Sequence, residues 1–205
     1  EPFARLFHQG MIHKPSFKDA RGKYYYDHEV EQIAPGRWVV KATQDAVETR
    51  NEKMSKSLGN FFTIREIFDK SEWPDAVTGE MLRYFLLSTH YRSPLDFSDH
   101  SVAEAKNALN GLYDLFERLK ESAPAHGAAD QQMRESTIRT RRAFADAMDD
   151  DVNTPNAVAA LQKLRGEANK ALEAGLSAEM RHAVREEFRS LGAVLGLLQQ
   201  DRWQF

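Results

Sequence analysis

The stretch Lys53-Met54-Ser55-Lys56-Ser57-Leu58-Gly59-Asn60 divides the chain into two parts of different character. Before it, short runs of β-branched and aromatic residues alternate with turn residues, which is typical of strands. After it, apolar residues recur at the three- and four-residue spacing of amphipathic helices. The stretch itself is polar and rich in small residues, as loops are. The sequence therefore predicts a small β-containing segment, then a loop, then a helical region.

The part before the loop is expected to form a small antiparallel β element over residues 22–47. Turn residues stand at Asp19–Lys23 and again at Pro35-Gly36. Tyr24-Tyr25-Tyr26 and Arg37–Lys41 follow these turns and are the strand candidates. On its length alone, we expect this element to be too short to form a core of its own.

Local signals after the loop predict where helices begin and end. Thr63 followed by Glu66 forms a capping box at the start of a short helix. Asn153 and Pro155 start another helix, Gly175 closes it, and Ser177 caps the next one. The pattern predicts an antiparallel helical bundle. In the helix over 138–148 the residues expected to face inward are Ile138, Ala145 and Met148. In the last helix they are Val184, Phe188, Leu191, Val194, Leu195 and Leu198. The predicted fold class is mostly α, an antiparallel helical bundle preceded by a small β-containing segment.

Composition excludes several classes of function. The 205 residues carry 28 basic and 31 acidic side chains, a net charge of -3, so nucleic-acid binding would need a local basic face. There is no Cys, which excludes disulfides, a thiol nucleophile and a thiolate zinc site within this sequence. No run approaches the roughly 18 apolar residues of a membrane span, and residues 1–5 lack the order of a signal peptide. We expect a cytoplasmic protein with no membrane partner.

The two lysines of the loop are the strongest chemical signal. Lys53 and Lys56 place two ammonium groups close together between hydroxyl groups, which suits a polyphosphate such as that of ATP. Both could stabilise the charge that builds on a leaving pyrophosphate. An arbitrary pair of lysines at this spacing is most often a solvated surface turn.

The complete string from Lys53 to Asn60 matches the signature loop of class I aminoacyl-tRNA synthetases, residue for residue. Further segments resemble cysteinyl-tRNA synthetases: Asn60–Arg65, Leu82–Ser98, Ala147–Pro155 and Leu191–Leu198. The resemblance covers roughly residues 53–198. It implies that the β segment is the tail of an α/β nucleotide-binding (Rossmann-like) domain. It also implies attachment of cysteine to tRNA with ATP and Mg²⁺.

The resemblance assigns roles within the loop. It implies that Lys56 first and Lys53 second act on the ATP phosphates and on transition-state charge. Ser55, Ser57 and Met54 would complete the ATP-binding loop. We expect three segments: residues 1–52 as the end of the catalytic domain, 53–100 as signature loop and junction, and 101–205 as a tRNA-binding bundle.

Departures from the family pattern leave alternatives open. The second class I signature, His-x-Gly-His, does not occur, and the family's zinc site uses thiolates that would lie outside this chain. We therefore expect the chain to be inactive by itself. Residues 1–52 look more like the corresponding segment of leucyl-tRNA synthetases, so a leucyl-type parent is an alternative, although cysteine is favoured over leucine. A non-catalytic helical RNA-binding or interaction module derived from a synthetase is another.

Three arginines are candidates for contacting tRNA phosphates. Arg139 and Arg142 are expected to share a helix face, and by resemblance Arg92 lies in the junction near the inner bend of the tRNA. A solvated helix flank is the alternative for Arg139 and Arg142. The acidic run Asp149-Asp150-Asp151 could suggest a metal site, but its place before a helix favours a capping role, so we assign no metal ligands.

Overall fold

The structure, a computed structural model, describes residues 10–55, 58, 60–61, 63–121, 123 and 127–200. The chain forms two compact units, one built from residues up to 72 together with 92–101, the other from 73–91 and the residues from 102 onward. The segments predicted from sequence, 1–52, 53–100 and 101–205, are functional divisions rather than compact units. Their boundaries stay predictions.

The first unit contains a mainly antiparallel sheet. Its strands are β1 Ile12–Asp19, β2 Tyr24–Tyr25, β3 Val30–Ala34, β4 Arg37–Val40, β5 Ala46–Lys53 and β6 Leu95–Asp96. Their order is β2-β1-β5-β4-β3, and β6 pairs with β1 in parallel. The long pairing of β1 with β5 runs from His13 opposite Lys53 to Asp19 opposite Val47. The sheet is thus larger than the predicted element, because β1 and β5 are polar strands that carry no clear alternation.

The expectation that this sheet lacks its own core was wrong. Four buried side chains form a small core, and two partly buried ones pack against it: Phe17, Tyr25, Val30 and Val40, with Trp38 and Val47. The rings of Phe17 and Trp38 lie with their centroids 4.8 Å apart. Phe17 belongs to β1 and lies outside the predicted element over residues 22–47, so part of this core comes from beyond that element.

The first predicted turn is confirmed, and a carboxylate organises it. Asp19 accepts hydrogen bonds from the backbone N–H groups of Arg21 and Lys23, each at 2.9 Å, and from the Tyr25 hydroxyl at 2.9 Å. The bond from Lys23 contributes most to lowering the pKa of the Asp19 carboxyl. Gly22 supplies the positive φ of 88° that the turn requires.

Helices dominate the rest of the described chain. They are α1 Ile64–Lys70, α2 Asp75–Leu87, α3 Asp99–Lys120, α4 Asp130–Asp149, α5 Thr154–Ala174 and α6 Ala178–Leu195. In the second unit, α4 packs against both α5 and α6. None of the helices in the described ranges combines the length and apolarity needed to cross a bilayer.

The predicted helix caps are confirmed. Thr63 and Glu66 form the capping box of α1. The Asn153 side chain accepts from the N–H of Asn156 at the start of α5, and Gly175 ends that helix with a φ of 100°. The Ser177 side chain accepts from the N–H of Met180 at the start of α6. Caps depend on a few neighbouring residues, which is why sequence alone locates them.

The inward face predicted for the helix over 138–148 was wrong. Ile138 is 65% exposed and Ala145 is also exposed, while the buried residues of α4 are Met133, Ser136, Thr140, Phe144 and Ala147. Two of these are hydroxyl residues, and the Ser136 hydroxyl donates to the Gln132 carbonyl at 3.0 Å. Because small polar side chains occupy core positions, the apolar pattern points to the wrong side. Val194, 63% exposed, was likewise wrongly placed in the core.

A buried carboxylate joins three elements of the second unit. The Tyr113 hydroxyl on α3 lies 2.9 Å from both carboxylate oxygens of Glu80 on α2, and the backbone N–H of Leu198 donates to Glu80 Oε1 at 2.6 Å. Burial, together with the Glu80 charge, raises the pKa of the Tyr113 hydroxyl. Nearby, Arg83 Nη1 donates to the Gly196 carbonyl at 2.5 Å. The segment after α6 is therefore fixed on α2.

We predict that Tyr113→Phe lowers the free energy of unfolding by about 1–3 kcal/mol, because it deprives a buried carboxylate of a donor. Urea denaturation measures this. Tyr91→Phe is the matched control: its hydroxyl donates to Asp151 at an exposed site, so we expect a loss below about 1 kcal/mol. Equal losses in the two variants would contradict the role of the Glu80 network.

We also predict that Asp130→Asn alters stability in a pH-dependent way. Hydrogen bonds from the Ser177 side chain and backbone lower the pKa of the Asp130 carboxyl. The stability that the Asp130 carboxylate contributes is therefore fully present above the pKa of this carboxyl in the unfolded chain, about 4. It is lost as the pH falls through the lower pKa of the folded state. The difference in urea midpoint between parent and variant should shrink on acidification. A constant difference, or an equal response from Asp114→Asn at an exposed site on α3, would contradict this.

Candidate functional site

The signature loop begins at the end of β5. Lys53 is the last residue of that strand, lies opposite His13 of β1 and is exposed. The N–H of Met54 donates to the Ile12 carbonyl at 2.9 Å, which extends the pairing by one residue. Lys53 thus stands on a strand rather than in the loop where we predicted it.

Of the predicted ATP-binding residues, Lys53, Met54 and Ser55 are described, whereas Lys56 and Ser57 lie outside the described residues. Met54 and Ser55 are half-buried. The N–H of Leu58 donates to the Ser55 carbonyl at 3.2 Å.

Asn60 holds the base of the loop, a role that the sequence analysis missed. Its side chain is almost fully buried, at 1% exposure. Its Oδ1 accepts a hydrogen bond from the Ser55 N–H at 2.8 Å. Its Nδ2 lies 3.4 Å from the Lys14 carbonyl oxygen and 3.5 Å from those of Glu52 and Lys53. One amide therefore links both ends of the loop to the sheet.

Buried polar side chains of β1 support the strand that leads into the loop. Lys14 is 4% exposed and forms an ion pair with Asp27. The Ser16 hydroxyl, also buried, donates to the Glu52 carboxylate on β5. These pairs satisfy groups that would be costly to bury alone. Apolar periodicity gives no signal for these polar side chains, which is why the sequence did not predict that a strand continues through Lys14 and Ser16.

The two candidate arginines of α4 line different depressions. Arg139 lies beside α5 with Lys163 and Glu167, and its Nη2 is 3.5 Å from Glu167 Oε2. Arg142 lines a shallow depression of about 540 Å³ together with Arg134, Thr137, Ile138, Arg141 and Ala145. The expected shared face therefore separates into two surfaces, and the more basic one contains Arg142.

Arg141 is engaged in a structural ion pair. Its Nε donates to Glu187 Oε1 at 3.0 Å, and Glu187 on α6 is buried. The hydrogen bond with this carboxylate raises the pKa of Arg141. Arg142 is more available, since its ion pair with Asp146 is long, at 3.9 Å, and both side chains are largely exposed. Arg134 is exposed and has no ion pair within the part of the chain that is described.

Asp151, at the end of the acidic run after α4, contacts two residues that follow α2. Tyr91 donates from its hydroxyl to Asp151 Oδ1 at 2.8 Å, and His90 Nε2 lies 3.9 Å from Asp151 Oδ2. Asp150 accepts from the side chain of Asn153, the residue that caps α5. Among the described residues, no group of three or more His, Asp or Glu side chains converges as a metal site. Arg92, in the first unit, is exposed.

Comparisons with known proteins identify the families that the chain resembles. Residues 34–107 match the family of class I (C) tRNA synthetase catalytic domains, and residues 143–199 match the DALR domain. The cysteine–tRNA ligase of Laribacter hongkongensis is 44% identical over 159 residues, which cover 78% of this chain and 30% of that protein. The corresponding ligase of Stutzerimonas stutzeri is 41% identical over 181 residues, covering 86% and 35%. The chain thus spans about a third of the length of these relatives.

A solved structure shows the same fold. The LeuRS in a ternary LeuRS–tRNA–LeuAMS complex from Agrobacterium radiobacter K84 matches 98% of this chain and 23% of its own, with a TM-score of 0.56 and 16% identity.

The signature loop, its strand and these matches define a chain of the class I aminoacyl-tRNA synthetases. Within that class it belongs to the cysteinyl-tRNA synthetases, and it corresponds to their C-terminal part.

Proposed function

We propose that this chain supplies the ATP-phosphate loop and a tRNA-docking helical bundle to an enzyme that attaches cysteine to tRNA. The observation that carries the proposal is the anchoring of the signature loop: β5 presents Lys53 at its exposed end, and Asn60 ties the loop that contains Lys56 back to the same strand. A loop held at both ends yet polar between them suits a group that must close on ATP and then release pyrophosphate.

The chemistry required of this loop is electrostatic. In the proposed reaction the carboxylate of cysteine attacks the α-phosphorus of ATP, an aminoacyl-adenylate forms and pyrophosphate leaves. The aminoacyl group then passes to a hydroxyl of the terminal adenosine of the tRNA, and AMP leaves. Lys56, and secondarily Lys53, would stabilise the negative charge that builds on the departing phosphates. Ser55, Ser57 and Met54 complete the loop. Mg²⁺ would arrive with the ATP phosphates, and we assign it no ligand among the described residues.

The bundle is proposed to dock tRNA through the outer face of α4. Arg134 and Arg142 line one shallow depression there and are exposed. Arg139 contributes from the neighbouring depression, although Glu167 and the Ser136 hydroxyl already engage it. Arg92 stays a proposed contact of the first unit. A cytoplasmic location is part of the same proposal.

Two alternatives are separated by experiment. A leucyl-type parent is disfavoured by relatives of 41–44% identity that are cysteine–tRNA ligases, against 16% for the leucyl structure. A non-catalytic RNA-binding module would bind tRNA but not ATP, and it would show no dependence on the two lysines.

We predict that Lys56→Ala lowers cysteine-dependent ATP–pyrophosphate exchange by about 10²–10³-fold in the full-length protein, the range for losing one preorganised charge-stabilising group. Lys53→Ala should give a smaller loss. Lys41→Ala should give none, since Lys41 is an exposed lysine in the turn after β4. Exchange unaffected by Lys56→Ala would refute the loop's role. The chain alone should show no exchange, and measurable activity would refute that expectation.

We also predict that Arg134→Ala and Arg142→Ala each weaken tRNA binding by the chain and reduce the slope of log affinity against log salt by about 1. A filter-binding series with cysteine tRNA and leucine tRNA at several salt concentrations measures this. Arg37→Ala, an exposed arginine on β4, is the matched control and should leave the slope unchanged. A preference for leucine tRNA would favour the leucyl parent, and unchanged slopes would exclude the α4 face.

A further inference from the structure

We infer that Asn60 is a positioning residue of the signature loop, one that sets where the phosphate-binding lysines stand without touching the phosphates itself. The inference rests on the proposed function of that loop. It assigns a distinct task to a side chain at the loop's far end, beyond the two lysines.

The Asn60 amide contacts the backbone at Lys53 and at Ser55, the residue directly before Lys56. Its Oδ1 fixes the N–H of Ser55, the residue directly before Lys56 in the sequence. Its Nδ2 faces the carbonyl oxygens of Lys53 and Glu52 on β5, and that of Lys14 on the neighbouring strand β1. A shift of this amide would therefore move the backbone on both sides of Met54.

Burial makes these contacts matter. At 1% exposure, the Asn60 amide has almost no water to replace a lost partner. Hydrogen bonds formed in this buried environment order the base of the loop before any ligand binds. The entropy cost of that ordering is therefore not subtracted from the binding free energy.

The site requires a side chain that both accepts and donates. Asn does so with its carbonyl oxygen and its NH₂ group. An ionised Asp of the same size would keep the acceptor for Ser55 but turn a negative oxygen toward three carbonyl oxygens. A protonated Asp would restore the pattern, because its C=O accepts and its O–H donates. Since burial raises the pKa of a carboxyl group, Asn60→Asp should behave as a pH-dependent replacement.

The test uses the ¹⁵N-labelled full chain with inorganic tripolyphosphate as the probe. Two quantities are measured at pH 7 and pH 5: the dissociation constant of tripolyphosphate and the exchange rate of the Ser55 amide hydrogen. We expect Asn60→Ala to weaken binding by about tenfold or more and to accelerate Ser55 exchange at both pH values, as expected for loss of a buried hydrogen bond. Asn60→Asp should resemble it at pH 7 and recover toward the parent at pH 5.

Asn51→Ala is the matched control, since Asn51 is an exposed residue of β5 whose amide contacts Asp96. It should change neither quantity. If the parent and its Lys56→Ala variant bind tripolyphosphate equally weakly, the proposed phosphate role fails, and the positioning role fails with it. If the parent binds in a Lys56-dependent way but both Asn60 variants bind as well as the parent, only the positioning role is overturned. A general loss of folding would leave Asn60→Asp impaired at both pH values, which would also overturn it.

Discussion

A polar group buried in a protein must find its partners inside the protein, and this constraint shapes both units of the chain. In the first unit, the Asn60 amide can be buried only because four backbone groups from β1, β5 and the loop surround it. In the second unit, the Glu80 carboxylate is buried because α3 and the segment after α6 both donate to it. Such groups tolerate few alternative arrangements, since any displacement leaves an unpaired atom. Apolar packing gives each unit its stability, while these polar groups select one arrangement of its elements.

The same constraint explains which features the sequence could predict. Turns and caps were predicted correctly because they depend on residues a few positions apart, as with Asp19 and Lys23 or Thr63 and Glu66. The pairing of β1 with β5 and the inward face of α4 were missed because polar residues stand at buried positions there. Ser16 and Lys14 in β1 have partners that are distant in sequence, and Ser136 in α4 donates to a backbone carbonyl. Thr140 of α4 is also buried. A hydropathy pattern cannot distinguish them from solvent-exposed residues.

The candidate site shows a similar division. The loop was located from sequence because its resemblance to the class I signature lies in consecutive residues, and the roles of its two lysines stay predictions. The support of the loop was not visible, because Asn60 acts through backbone groups whose identity leaves no mark in the sequence. For the arginines of α4, spacing grouped Arg139 with Arg142, yet partners on α5 and α6 decide their availability. Glu167 and Glu187 engage Arg139 and Arg141, and the exposed basic surface is left to Arg134 and Arg142.

The segment before the loop takes on a different meaning once its contacts are known. Its sequence resembles leucyl enzymes, which by itself would raise doubt about the cognate amino acid. Yet β1 provides the Ile12 carbonyl that receives the Met54 N–H, and the Lys14 carbonyl faces the Asn60 amide. The segment therefore supports the base of the signature loop through its own backbone carbonyl groups. Support given through backbone groups places few demands on side-chain identity, so a leucyl-like sequence there is compatible with the cysteinyl character of the residues that follow.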